Sequence, residues 1–162
     1  MFMKRFLLLT LSIVAFYSIQ GNSQSDYDYE WAHHNIAFTL AEDFKAVTNT
    51  ADEFTARGDG MEFGIFPFSD ATVDHSNITA YTIAIAKHIQ LEELDDVDVV
   101  NLNGLNGAYV EGYKSGSRLI VLGFIDPDTD TNFFATISFN DNDAVAEEEA
   151  IRIITSLRKK KS

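Results

Sequence analysis

The chain contains no cysteine. Disulfides and thiolate metal sites are therefore excluded, as is a lipid anchor on an N-terminal cysteine, and stability must come from packing. Basic residues are scarce too. Twelve lysines and arginines stand against 25 acidic residues, for a formal charge of −13. A surface of that sign repels phosphate backbones, which argues against nucleic acid as a partner and suits a soluble protein or a basic partner. The apolar stretch from Phe6 to Ile19 is broken by Thr10, Ser12 and Ser18. It is shorter than the ~20 residues a membrane-spanning helix needs.

That stretch has a different reading. Lys4 and Arg5 precede it, and the small and polar residues Gly21, Asn22, Ser23, Gln24 and Ser25 follow it. This is the pattern of a secretory signal peptide. Residues 1–23 are expected to be cut off after Ser23, leaving no stable membrane span and a protein that is periplasmic or secreted. Loss of Lys4 and Arg5 takes the formal charge from −13 to −15. Residues 24–30 read as a flexible polar lead-in. Residues 31–162 are long enough to bury one core, and read as a single domain.

Within that domain the pattern alternates strands with two helices. Residues 31–40 read as a strand, interrupted at 41–44 and resumed at 45–49. Residues 52–57 and 61–68 form a predicted hairpin across Gly58-Asp59-Gly60, because Asp-Gly between alternating runs is a strong turn signal. The spacing of Ile78, Tyr81, Ile85, His88 and Ile89 predicts a helix over 76–94 with Asp74 or Ser76 as its cap. Strands follow at 97–102, 108–114, 118–125 and 132–139. A closing helix over 143–159 buries Ala146, Ala150, Ile153, Ile154 and Leu157. Glu147, Glu148 and Glu149 stand near its positive end, and Arg158, Lys159 and Lys160 at its negative end. Hairpin-linked strands with two helices predict an α+β sandwich, a mainly antiparallel sheet with both helices packed on it.

The order of these features resembles the PsbP-like superfamily. The resemblance rests on Asn35-Ile36-Ala37-Phe38-Thr39-Leu40 followed by Glu42-Asp43-Phe44. In the family a strand commonly runs into a P-x-x-F turn, and Ala41 stands here where the proline often is. It rests also on Leu102-Asn103-Gly104-Leu105-Asn106-Gly107, the strand that follows, and the ending Ile153-Ile154-Thr155-Ser156-Leu157. That superfamily includes extrinsic photosystem subunits, Ran-binding relatives, and bacterial envelope proteins or secretion chaperones. The resemblance covers nearly all of the mature chain. It implies the fold and an accessory or binding role without catalysis, and it assigns no functional residue.

Chemistry-bearing residues are few. A zinc site would combine His34, His75 and Asp74, although no motif such as H-E-x-x-H is present. His33 and His34, adjacent in the predicted strand, would face opposite ways. The segment Asp126-Pro127-Asp128-Thr129-Asp130-Thr131-Asn132 begins like a calcium loop. Thr131 then replaces its glycine and Ile137 its bidentate glutamate, so a plain turn is the expectation. Gly107 to Ser115 imitates a phosphate loop, but Tyr113 separates Gly112 from Lys114 and the segment alternates like a strand. Ser69, Asp70, Asp74 and His75 are close in sequence, yet no G-x-S-x-G elbow presents a serine. Asn77-Ile78-Thr79 is a glycosylation sequon. Arg158 to Lys161 would complement the helix end or touch anionic lipid.

Glu92, Glu93, Asp95, Asp96 and Asp98 form an acidic run, read as a solvated face or as a docking surface for a basic partner. The strand aromatics Phe63, Phe66, Phe68, Tyr109, Tyr113, Phe124, Phe133, Phe134 and Phe139 are mostly core. Any that project from an open sheet face would form a binding patch. The expected function is that of an exported, non-catalytic binding or accessory protein with an unidentified protein partner and no cofactor. The alternative is an exported small-ligand or metal binder.

Overall fold

The computed structural model describes residues 26–69, 76–129 and 131–160. Ten strands and two helices follow in the order β1 (Asp26–Trp31), β2 (Ile36–Ala41), β3 (Lys45–Asn49), β4 (Phe54–Gly58), β5 (Met61–Pro67), α1 (Ile78–His88), β6 (Asp98–Leu102), β7 (Leu105–Lys114), β8 (Ser117–Asp126), β9 (Thr131–Phe139), α2 (Ala144–Thr155) and β10 (Arg158–Lys159). Seven strands form one sheet in the order β3-β4-β5-β9-β8-β7-β6, and β1-β2-β10 form a second. Every pairing is antiparallel. This is the expected α+β sandwich.

Alternation on the strands divides the core in two, because successive side chains leave a strand on opposite faces. On β8, Ile120, Leu122 and Phe124 enter one cluster, while Leu119, Val121 and Ile125 enter the other. The larger cluster lies between the seven-stranded sheet, the three-stranded sheet and α2. It holds Trp31, Phe38, Phe54, Phe63, Phe133, Ile153 and Ile154. The smaller lies under α1, with Phe68, Tyr81, Ile85 and Val110. The two helices thus pack on opposite faces of the large sheet.

Close approach sets α1 in place. A Cβ on Gly123 would stand 2.6 Å from Thr82 Oγ1 and 2.9 Å from Tyr81 Cδ1. Only glycine lets the helix lie this near the strand. Tyr81 donates from its hydroxyl to the Phe133 carbonyl at 3.0 Å. Burial pushes that phenol well above its ordinary pKa.

Several boundaries differ from the sequence reading. Residues 26–30, read as a lead-in, form most of β1, paired along its whole length with β2. His33 and His34 occupy a 3₁₀ turn at 32–34 rather than a strand, and the turn ends on Asn35 at φ 56°. The first helix is shorter at both ends than 76–94. Its cap is Asn77, whose side chain accepts from the Ala80 N–H at 3.1 Å. The sequon asparagine is therefore in use as a helix cap. Asp143 caps α2, its carboxylate accepting from the Val145 and Ala146 N–H groups. That helix ends at Thr155, so Arg158 and Lys159 do not sit on its last turn but pair with β2. The hairpin across Asp59-Gly60 forms as predicted, with both residues at positive φ.

Candidate functional site

The acidic run lies along the β6 edge of the large sheet and is pinned there. Glu92 and Tyr113 exchange backbone hydrogen bonds, each 2.8 Å, and the Asp95 N–H donates to the Glu111 carbonyl at 3.0 Å. Gly112 makes room for this, since a Cβ there would meet the Glu92 carbonyl oxygen at 2.6 Å. The loop and β6 together cover the outer edge of β7. Glu92, Glu93, Asp95, Asp96 and Asp98 are all exposed. None of them makes an ion pair among the described residues. Val99, within the same edge, is 68% exposed. Asp98 adds to the burial that raises the Tyr109 hydroxyl pKa. The result is a row of exposed carboxylates without ion pairs among the described residues, Asp98 accepting from the Tyr109 hydroxyl, beside a strand edge that is unpaired among those residues.

Among the described residues the other half of the α1-bearing face is largely uncovered, because α1 packs mainly on β7 and β8. The register sets out what is uncovered. Thr55, Gly64 and Thr136 form one row across β4, β5 and β9. Arg57, Glu62 and Ser138 form the next. Phe66 and Phe134 pair on the other side of the glycine, with ring centroids 5.1 Å apart and planes 27° off parallel. Of the strand aromatics, these two are the ones that project from the open face and stay half-exposed. With Ile89, Leu119, Val47 and Lys114 they bound a groove of about 420 Å³.

No family model and no curated protein matches the sequence. Solved structures do. The solution structure of cyanobacterial PsbP from Synechocystis superposes with a TM-score of 0.59 at 9% identity, covering 94% of this chain and 98% of that one. The Ran-binding protein Mog1p of Saccharomyces cerevisiae superposes with a TM-score of 0.55 at 10% identity, covering 85% and 96%. The chain has the PsbP-like fold. A Bacteroides thetaiotaomicron crystal structure also matches, with a TM-score of 0.49 at 13% identity, and the chain spans 48% of its length and 85% of its own. At these identities the likeness concerns architecture, and the PsbP-like fold leaves the site to be read from residues.

Of the expected zinc ligands His34, His75 and Asp74, only His34 is among the described residues. Asp70 lies outside them too. His34 stacks in an aromatic cluster, 4.1 Å from the Trp31 ring and 5.0 Å from Phe133. Its Nε2 lies 2.7 Å from the Ala51 carbonyl, so that nitrogen carries the proton and is closed to a metal. His88 is exposed and lies edge-on to Phe68. No group of three His, Asp or Glu side chains with ligand spacing occurs among the described residues, nor any helix long and apolar enough to cross a membrane.

The loop that begins like a calcium site already holds a cation. The Lys159 ammonium sits 2.9 Å from Asp126 Oδ1 and 2.7 Å from Asp128 Oδ2. Burial pushes the Asp126 carboxyl up, but the ammonium, the Asp128 N–H and the Thr129 hydroxyl outweigh it and leave the pKa below the ordinary value. Arg158 is likewise paired to Asp28 and Lys160 to Glu30. The basic C-terminal residues therefore close the small sheet through ion pairs. Sequence spacing could not show this, since the partners lie more than a hundred residues away for Arg158 and Lys160.

A carboxylate with a lowered native pKa contributes stability above its unfolded pKa and loses it as pH falls through the native one. Lys159→Met is therefore expected to lower the melting temperature by a few degrees at pH 7. The gap from wild type should narrow as pH drops below about 4, where aspartate in the unfolded chain takes up its proton first and native Asp126 follows at lower pH. Thermal melts of both proteins across pH check this, and a gap independent of pH would refute the ion-pair account.

Proposed function

We propose that the chain is an exported, non-catalytic accessory protein that docks a basic protein partner along the β6 edge and the acidic loop before it. The observation that carries this reading is the row Glu92, Glu93, Asp95, Asp96 and Asp98, exposed and, among the described residues, without ion pairs beside an unpaired strand. An extended segment bearing lysine or arginine would add to that edge by backbone hydrogen bonds, and charge would set its orientation. The signal-peptide pattern of residues 1–23 supports export. Support for a binding role comes from Mog1p, a Ran-binding protein with the same architecture.

The test uses the C-terminally tagged chain expressed in its own host and cross-linked outside the cytoplasmic membrane. A stoichiometric protein partner is expected. Its capture should fall at least about tenfold when Glu92, Glu93, Asp95 and Asp96 are replaced together by their amides, and should weaken steeply with salt. Capture unaffected by the four amides, or a chain found alone, would refute docking at this edge.

A further inference from the structure

We infer that the groove beside α1 is a small-molecule site for an organic anion with a flat apolar body. It lies on the other side of the sheet from the large core and away from the β6 edge, so it stands independently of the docking reading.

Its two ends differ in chemistry. At one end the stacked Phe66 and Phe134 rings offer an aromatic face. Beside them Gly64, between Thr55 and Thr136 in the same row, is buried under the Phe66 ring. A Cβ on Gly64 would reach within 2.7 Å of the Phe66 ring, so the phenyl lies flat over this position and depends on the missing side chain. A planar apolar group laid on the half-exposed rings would meet an aromatic face, with Ile89 and Leu119 also lining the groove.

The other end is cationic, in a chain whose formal charge is −13. Arg57 and Lys114 line it, and register places Lys45 beside Arg57. Glu62 takes up Arg57 at 3.1 Å. Lys114 is exposed and makes no ion pair among the described residues. Hydroxyls of Thr55, Thr136 and Ser138 line the floor between the two ends. An apolar cleft with a few converging polar groups and one unmatched cation suits a ligand with an apolar body and one negative charge. The volume, about 420 Å³, lies within the range of such sites.

The probe pair that tests this is 8-anilinonaphthalene-1-sulfonate and its uncharged parent, N-phenyl-1-naphthylamine, titrated by fluorescence into the purified protein. Saturable binding of one anilinonaphthalenesulfonate per chain is expected. Lys114→Glu should weaken the anion at least about tenfold and leave the neutral probe unchanged. Gly64→Val should abolish binding of both, by displacing the Phe66 ring from its stack on Phe134, while its circular dichroism spectrum and melting temperature stay those of a folded protein. Equal binding of the anion by wild type and Lys114→Glu would overturn the inference and mark the groove as a seat for a neutral side chain or nothing. Undiminished binding by a folded Gly64→Val would place the probe elsewhere and overturn it as well.

Discussion

Replacing Trp31 by alanine is expected to cost about 3–5 kcal/mol, the largest loss from any single truncation in this chain. Trp31 ends β1 with no exposure at all. Its ring meets Phe133 edge-on at 5.7 Å and His34 at 4.1 Å, and its indole N–H donates to the Thr50 carbonyl. Alanine removes the indole, opens a cavity where the two sheets meet, and leaves the Thr50 carbonyl without its donor. Domains of this size hold together by roughly 5–15 kcal/mol, so the variant would be close to unfolding at body temperature. The chain has a single tryptophan. Urea unfolding must therefore be followed by circular dichroism rather than indole fluorescence. A loss under about 1 kcal/mol would show that the small sheet is not anchored through this residue. Trp31→Phe should recover most of the packing and fail to recover the hydrogen bond.

The second large effect is expected from Gly123→Val. Overfilling a packed contact costs roughly 1–3 kcal/mol, and stripping a buried hydrogen bond costs a similar amount. Here both occur. A valine would drive into Thr82 and Tyr81, lifting α1 from β8 and pulling the Tyr81 hydroxyl from Phe133 and the Thr82 hydroxyl from the Ala108 carbonyl. About 3 kcal/mol of destabilisation should result, and it should be local. Amide hydrogen exchange would speed up across Ile78–His88 while the amides of β2 in the other core keep their protection. Wild-type protection in α1 would mean that the helix is held from elsewhere.

The fold was legible in the sequence to the extent that it is local. Alternation on 118–125 and 132–139, the Asp-Gly turn and the apolar stripe of α2 each declare themselves within about ten residues. The central hairpins and both helices followed from them. What escaped was held by distant partners. Residues 26–30 look like a tail because Asp26, Asp28 and Glu30 are charged, yet Asp28 and Glu30 meet Arg158 and Lys160 in space. The same pairs turned Arg158 and Lys159 from helix-end charges into a strand. Nor did spacing tell that the ligand of the Asp126 loop would be Lys159. The acidic docking edge was visible as composition, whereas its pinning by Tyr113 and Glu111 was not. The groove depended on knowing which face α1 leaves bare, and Phe66 and Phe134 were named without being separable from the core aromatics.

The small sheet joins the first and the last of the described strands. The Thr39 N–H on β2 donates to the Ser156 hydroxyl 117 residues later, and β10 pairs with β2 beyond it. Such distant contacts form late, since the closure of a long loop must precede them. A ribosome releases β1 and β2 first, and they have no third strand until the last residues emerge. The β2 edge and the Thr39 N–H therefore wait for their partners until residues 156–159 have been made.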